Sequence, residues 1–228
     1  MTARHPALMA REGPLLITGF EPFDGHRLNV SWEVARHLQG ESVGPTSWIA
    51  IELPCRFGAC IDALHDALTI HQPRAVLSLG QAEGRSAISL ERLAINVRDA
   101  RIADNGGAQP IDEAIVDEAP YAYPTRLPLR RLLTACREAG HAVELSNTAG
   151  TFVCNDLFYG LMHRTRDHDL PAGFIHLPIL PDQQRSAAAR SPGRDDAPDT
   201  GEHTPTLALA QQLATLRLIG ELIATPSL

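Results

Sequence analysis

Short apolar runs alternate with amphipathic stretches along the first 80 residues of the chain. Leu15, Leu16, Ile17 and Thr18, closed by Gly19, have the pattern of a buried strand. Residues 31–38 follow with helical spacing; Trp32, Ala35 and Leu38 make one face, and Ser31 is the expected N-cap. Residues 48–53 read as a second strand, and 59–70 as a second helix with Cys60, Ile61, Leu64 and Leu68 inward. Residues 75–79 read as a third strand, closed by Gly80. Strand, helix, strand, helix, strand predicts an α/β domain with a parallel sheet and crossover helices.

The pattern changes after residue 87. Ile88, Leu90, Leu93, Ile95 and Val97 are interrupted by polar residues, and Asn105-Gly106-Gly107 marks a turn. This stretch predicts an antiparallel excursion or a long ordered loop up to residue 117. Regular signals return as a helix over 129–139, a strand over 142–145, a helix over 153–163 and a last core strand over 173–177. Residues 1–13 read as a flexible N-terminus and 14–228 as one domain. Residues 185–204, rich in Ser, Ala, Pro, Asp and Gly, predict a mobile loop. A C-terminal helix is expected at about 205–224, with Leu209, Leu213, Leu216, Ile219 and Leu222 apolar.

The chain has 228 residues, of which 44% are hydrophobic, enough to build a core. A net charge of −7 without a basic block argues against nucleic acid as a partner. No run of about 18 apolar residues suggests a membrane span. The first residues lack the apolar core of a signal peptide, so a cytoplasmic protein is expected. Four cysteines are too few for a disulfide scaffold in a chain this long. Cys55 and Cys60 have no second pair or close histidine to complete a zinc pattern, so no metal site and no cofactor are expected. Cys136 sits in a helical pattern and reads as a small core residue.

Cys154 is different. The small, polar run Asn147-Thr148-Ala149-Gly150-Thr151 precedes it, and a helical pattern follows, so it lies at a helix start. There the macrodipole favours a thiolate, and free backbone N–H groups can hold an oxyanion. A cysteine hydrolase also needs a base and a group that orients it. His176 lies in an apolar strand; it is either a core histidine bonded to a carbonyl or that base. Glu91 lies in an apolar neighbourhood. It is either an ordinary surface neighbour of Arg92 or a buried carboxylate that needs an imidazole or arginine partner. His163 and His168 lie in a polar stretch and read as solvated. Gly19-Phe20-Glu21-Pro22-Phe23, Gly80-Gln81-Ala82 and His176 all fall at strand carboxyl ends, where open α/β sheets bind ligands.

Six segments, in order, carry a family resemblance: residues 19–23, 80–82, 91–96, 99–105, 146–155 and 173–178. The block Thr148-Ala149-Gly150-Thr151-Phe152-Val153-Cys154-Asn155 is the most specific. Together they resemble the pyroglutamyl peptidase I (pyrrolidone-carboxylate peptidase) family of cysteine peptidases, over about residues 15 to 183. The resemblance implies a three-layer α/β/α domain with a twisted, mostly parallel but mixed sheet. It implies an omega-peptidase that removes N-terminal pyroglutamate from peptides through a thioester, needs no cofactor, and assembles as a homo-oligomer, commonly a tetramer. Its catalytic residues fall on Cys154, His176 and Glu91, and Arg101 falls at the rim beside the oxyanion.

The resemblance also places Phe20 and Phe23 as an aromatic clamp on the flat lactam ring, and Gln81 as an amide with both donor and acceptor for its edges. Asn29 is a further candidate to face the lactam, and Ile102, Phe152 and Val153 would close the apolar wall. The chain departs from the family pattern at Asp24, Glu83, Pro124 and Ile179, none of them in the proposed triad. Two other readings compete: a thiol amidase or acyltransferase acting on another small cyclic amide, and a non-catalytic peptide-binding relative. Intact clamp residues disfavour the first, and an intact triad the second.

Overall fold

A computed structural model describes residues 12–183 and 204–225. Residues 1–11, and the expected mobile loop except for Thr204, lie outside the described residues. Strands β1 (Leu15–Phe20), β2 (Ser42–Val43), β3 (Thr46–Leu53), β4 (Ala75–Gln81), β5 (Ile88–Glu91), β6 (Leu93–Ile95), β7 (Ala122–Pro124), β8 (Val143–Ser146) and β9 (Ala172–Leu177) alternate with five helices that lie wholly within the described residues. These are α1 (Val30–Leu38), α2 (Ala59–His71), α3 (Leu129–Glu138), α4 (Val153–Arg164) and α5 (Leu209–Ala224).

Seven strands form one sheet in the order β2-β3-β1-β4-β9-β5-β8, and β6 and β7 form a separate antiparallel pair. The pairs β1–β3, β1–β4, β4–β9 and β5–β8 are parallel; β2–β3 and β5–β9 are antiparallel. The sheet is therefore mostly parallel but mixed. Every residue of β1 and β9 is buried, as expected of strands covered on both faces. Side-chain alternation sorts them between two cores. Leu15, Ile17, Leu77 and Ile175 pack against α1, α3 and α5. Leu16, Val76 and Phe174 pack against α2 and α4. The result is three layers, α/β/α.

The stretch after residue 87 holds both predicted alternatives. β5 joins the main sheet antiparallel to β9, β6 pairs with β7, and an ordered loop follows, clipped by a bridge between Arg98 and Glu113. The two-residue strand β2 is too short to leave a periodic signal. The α1 cap differs from expectation. Asn29 is the N-cap: its Oδ1 accepts from Ser31 N at 3.1 Å and Ser31 Oγ at 2.8 Å. Ser31 is buried inside the helix, and its hydroxyl accepts from Phe20 N at 2.9 Å. Both residue types can cap, and the tie of Ser31 to β1 decides between them.

Candidate active site

α4 begins at Val153, and the extended cap residue Phe152 makes no side-chain cap bond. The backbone N–H of Asp156 bonds Phe152 O at 3.1 Å. The N–H groups of Val153 and Cys154 lie in the first turn, before any helical carbonyl can accept from them. Two side chains of that turn anchor it. Asn155 Oδ1 accepts from Ile95 N at 3.0 Å, and its Nδ2 donates to Ile95 O at 2.9 Å and Val97 O at 3.0 Å. Fully buried Asp156 accepts from Arg98 Nε at 2.6 Å and Gly58 N at 2.8 Å. Thr151 exchanges bonds with Asp99, N to Thr151 O at 3.0 Å and Thr151 Oγ1 to Asp99 O at 2.7 Å. The nucleophile candidate thus sits on a helix start tied to α2 and to the 95–99 segment.

Gly80 of β4 pairs with His176 of β9. A Cβ at Gly80 would stand 2.9 Å from Cys154 Sγ and 2.7 Å from Phe174 Cζ. The sulfur therefore lies over the residue beside His176, on the face where the Phe174 and His176 rings meet edge to face at 5.0 Å. His176 Nδ1 and Glu91 Oε1 are 2.8 Å apart, with Glu91 fully buried and His176 4% exposed. Glu91 does not pair with Arg92. It has both kinds of partner that a buried carboxylate requires, because Arg85 Nη1 also donates to its Oε1 at 2.8 Å. Glu91, Cys154 and His176 converge on one rim.

Burial, and after it the charge of Glu91, pushes the Cys154 thiol up to about 12, against the opposing effects of Arg85 and of its own backbone N–H. This shift runs against the expectation of a favoured thiolate, because desolvation opposes the dipole at this helix start. Burial likewise holds His176 below its usual value, opposed by the Glu91 hydrogen bond. Both shifts favour the neutral thiol and the neutral imidazole. The imidazole Nδ1–H points at Glu91, a tautomer assigned from that bond.

Around this centre, Phe23 and Phe152 lie 5.1 Å apart, and Phe57 meets Phe152 edge-on at 5.2 Å. Phe20 is 2% exposed and packs in the core with α2 and α4, behind the rim. Of the expected clamp, Phe23 is the half-buried member, and Phe152 is the ring it meets. Val153 is buried and Ile102 half-buried. Arg101 is exposed, two residues beyond the Asp99–Thr151 clip.

The amides differ from expectation. Gln81 Oε1 accepts from Val30 N at 3.1 Å and Gln183 Nε2 at 2.7 Å, so its acceptor is already taken and only its Nε2 group remains to donate to a ligand. Asn29 Nδ2 donates to Glu21 O at 3.1 Å while its oxygen caps α1. Asn29 thus helps to hold the rim, with its oxygen committed to the cap and one N–H of its amide to Glu21. His163 is half-buried rather than fully solvated: Tyr123 Oη lies 2.9 Å from its Nδ1 and Tyr159 stacks on it.

Two site residues escaped the sequence reading. Arg85 lies in a polar loop with no periodic or motif signal. Phe57 follows β3 at the same rim, and that strand end was the signal that could have found it. The departures from the family pattern have local partners. Asp24 and Gly25 both adopt positive φ, 52° and 69°, which Asp tolerates better than most residues. Glu83 lies 3.6 Å from His26, Pro124 pairs with Leu93, and Ile179 is buried. A cavity of about 690 Å³ opens elsewhere, lined by Leu93, Pro124, Leu127 and Pro128 with Arg92 and Asn147. It contains none of the three candidate side chains, and volume alone supplies no nucleophile.

A sequence profile of the pyroglutamyl peptidase family matches residues 14–224. The pyrrolidone-carboxylate peptidase of Cupriavidus necator is 49% identical over 204 residues, covering 88% of this chain and 91% of that protein. That of Yersinia pseudotuberculosis serotype O:3 is 47% identical, covering 86% and 88%. Among solved structures, pyroglutamyl peptidase I from Bacillus amyloliquefaciens superposes with a TM-score of 0.83 at 38% identity, covering 93% and 97%. Pyrrolidone carboxyl peptidase from Pyrococcus furiosus gives 0.84 at 33%, covering 92% and 97%.

Proposed function

The chain belongs to the pyroglutamyl peptidase family, and from that premise we propose that Cys154, His176 and Glu91 carry its peptidase chemistry. It is a cysteine peptidase that hydrolyses the amide bond after an N-terminal pyroglutamyl residue. The observation that carries the assignment is the 2.8 Å bond from the imidazole to a fully buried carboxylate, beside a sulfur seated over Gly80.

His176 Nε2 accepts the thiol proton as the sulfur attacks the scissile carbonyl. Because both groups rest neutral, proton transfer accompanies attack rather than preceding it. Glu91 holds the Nδ1–H tautomer and stabilises the imidazolium. The N–H groups of Val153 and Cys154 hold the oxyanion, with Arg101 adding positive charge from the facing loop. The imidazolium then protonates the leaving amine, and the amine departs. His176 next deprotonates a water, which attacks the thioester and releases pyroglutamate and the free thiol.

Pyroglutamate has no free amine, so recognition rests on a flat neutral ring. Phe23 and Phe152 cover its faces, Ile102 and Val153 close the wall, and Phe20 backs it. Gln81 donates its Nε2–H to the lactam carbonyl. Proline, lacking that carbonyl, leaves the donor unmet at a cost of about 1–3 kcal/mol. The enzyme takes peptides with N-terminal pyroglutamate, works in the cytoplasm as one domain, and assembles as a homotetramer.

The test is release of a chromophore from its pyroglutamyl amide against the prolyl amide, in wild type and Cys154→Ala. Turnover of the pyroglutamyl compound is expected in wild type alone. Hydrolysis surviving in Cys154→Ala, or equal turnover of the prolyl amide, defeats the assignment.

A further inference from the structure

Glu91 presents an unusual distribution of partners. One oxygen, Oε1, serves both His176 Nδ1 and Arg85 Nη1, each at 2.8 Å. The other, Oε2, is buried without a hydrogen-bond partner among the described residues. A fully buried carboxylate with one satisfied oxygen is costly unless a fixed cation compensates it. Arg85 supplies that cation and does more. Its Nη2 donates to Thr148 O at 3.3 Å, in the loop that enters α4 six residues before Cys154. Elsewhere the loop is shaped by local bonds, Ser146 Oγ to Thr148 O at 3.0 Å and Gly150 N to Thr148 Oγ1 at 3.0 Å, and by the exchange between Thr151 and Asp99. Arg85 is the side chain that ties it to the carboxylate.

We propose that Arg85 is a positioning residue for the hydrolysis, one guanidinium that fixes Glu91 against His176 and the Thr148 loop against the nucleophile. It rests on the peptidase assignment and deepens it. The planar fork matters, because two N–H groups pointing in different directions reach a carboxylate on β5 and a carbonyl before α4 together. An ammonium can keep the charge but cannot hold both at once.

The charge has a second effect. The groups facing His176 are Glu91 from β5, Arg85 from the loop after β4, Cys154 from α4, and, one strand further, Glu144 of β8, which accepts from Ser89 Oγ at 2.7 Å. Among these Arg85 offsets Glu91. It opposes protonation of His176 and favours ionisation of Cys154. The imidazole is thereby kept available as a base, and removing the arginine charge raises its affinity for a proton.

The experiment measures kcat and KM for a chromogenic pyroglutamyl amide, across acid and neutral pH, in Arg85→Gln and Arg85→Lys. Each is made in the wild-type and the Glu91→Gln background. Arg85→Gln is expected to lower kcat about 10–100-fold with KM nearly unchanged, as outer partners of catalytic groups do. Its acid limb is expected to move to higher pH. Arg85→Lys is expected to return the limb to its wild-type position while kcat stays low. With Glu91→Gln already present, Arg85→Gln should cost little more, because residues acting as a unit are not additive. An unmoved acid limb in Arg85→Gln, or fully additive losses, overturns the proposal. If Arg85→Gln does not fold, Arg85→Lys decides: wild-type kcat overturns the proposal, and low kcat with the limb in place supports it. Inactive wild type, or active Cys154→Ala, would defeat the peptidase assignment instead.

Discussion

Gly80 gives the sharpest test of the site geometry. Its φ is not in the left-handed region, so a substitution there is resisted by space rather than backbone strain. The Cβ of Gly80→Ala would lie 2.9 Å from Cys154 Sγ and 2.7 and 2.9 Å from Phe174 Cζ and Cε1. Ordinary carbon contacts are about 3.5–4.0 Å, so the sulfur or the ring must retreat by roughly 0.6–1 Å. Phe174 is fully buried and packs on Phe158 and His176, so it has little room to yield. The displacement falls on the sulfur, directly above the partner of His176. A misplacement of about 1 Å can cost a factor of 10² in rate, or about 2.7 kcal/mol of barrier. Overpacking adds about 1–3 kcal/mol of lost stability. The assay is kcat/KM on a chromogenic pyroglutamyl amide, with a thermal melt to show that the variant is folded. A folded Gly80→Ala enzyme with wild-type kcat/KM would refute the placement of the sulfur over β4.

Other expectations follow from the same geometry. The neutral His176 required for attack is held below its usual value of 6.5 by burial, so kcat/KM should rise with pH below that point and level off through neutrality. The alkaline limb from the thiol, pushed up to about 12, should lie well above neutrality. An acid limb above 7, or thiolate absorbance titrating near neutral pH in wild type and missing from Cys154→Ala, would contradict a neutral resting pair. By linkage, the neutral burial of His176 contributes stability present above 6.5 and lost as pH falls through the lower native value, which a melt series in acid checks. A thiol alkylator should modify Cys154 and, in the folded enzyme, spare Cys55, Cys60 and Cys136, since Cys154 alone of the four is partly exposed. Peptide mapping by mass spectrometry reads this directly, and prior labelling of Cys60 or Cys136 would count against the described packing.

The chain alone determined most of the element order and the candidate reacting residues. The runs ending in Gly19, Gly80 and Pro178 are buried strands because a sheet covered on both faces needs continuous apolar segments. The helical spacing after Cys154 reflects a helix start, because a turn rich in Gly, Thr and Asn precedes an amphipathic face. Both signals are local, carried by residues a turn or a strand apart. Which partner each polar side chain found was not local. Glu91 bonds His176 rather than Arg92 only because β5 runs antiparallel to β9, which puts it two residues along the strand, and on the same face, from Ser89, the partner of His176. Arg85 joins them from a loop without pattern. The amide oxygens of Gln81 and Asn29 are taken by Val30, Gln183 and Ser31, contacts set by how α1 and residue 183 meet the end of the sheet. The thiol is raised rather than lowered because desolvation depends on everything packed around a group, whereas a dipole depends only on its own helix. Periodicity fixes which face of an element is buried; only the folded chain decides what that face meets.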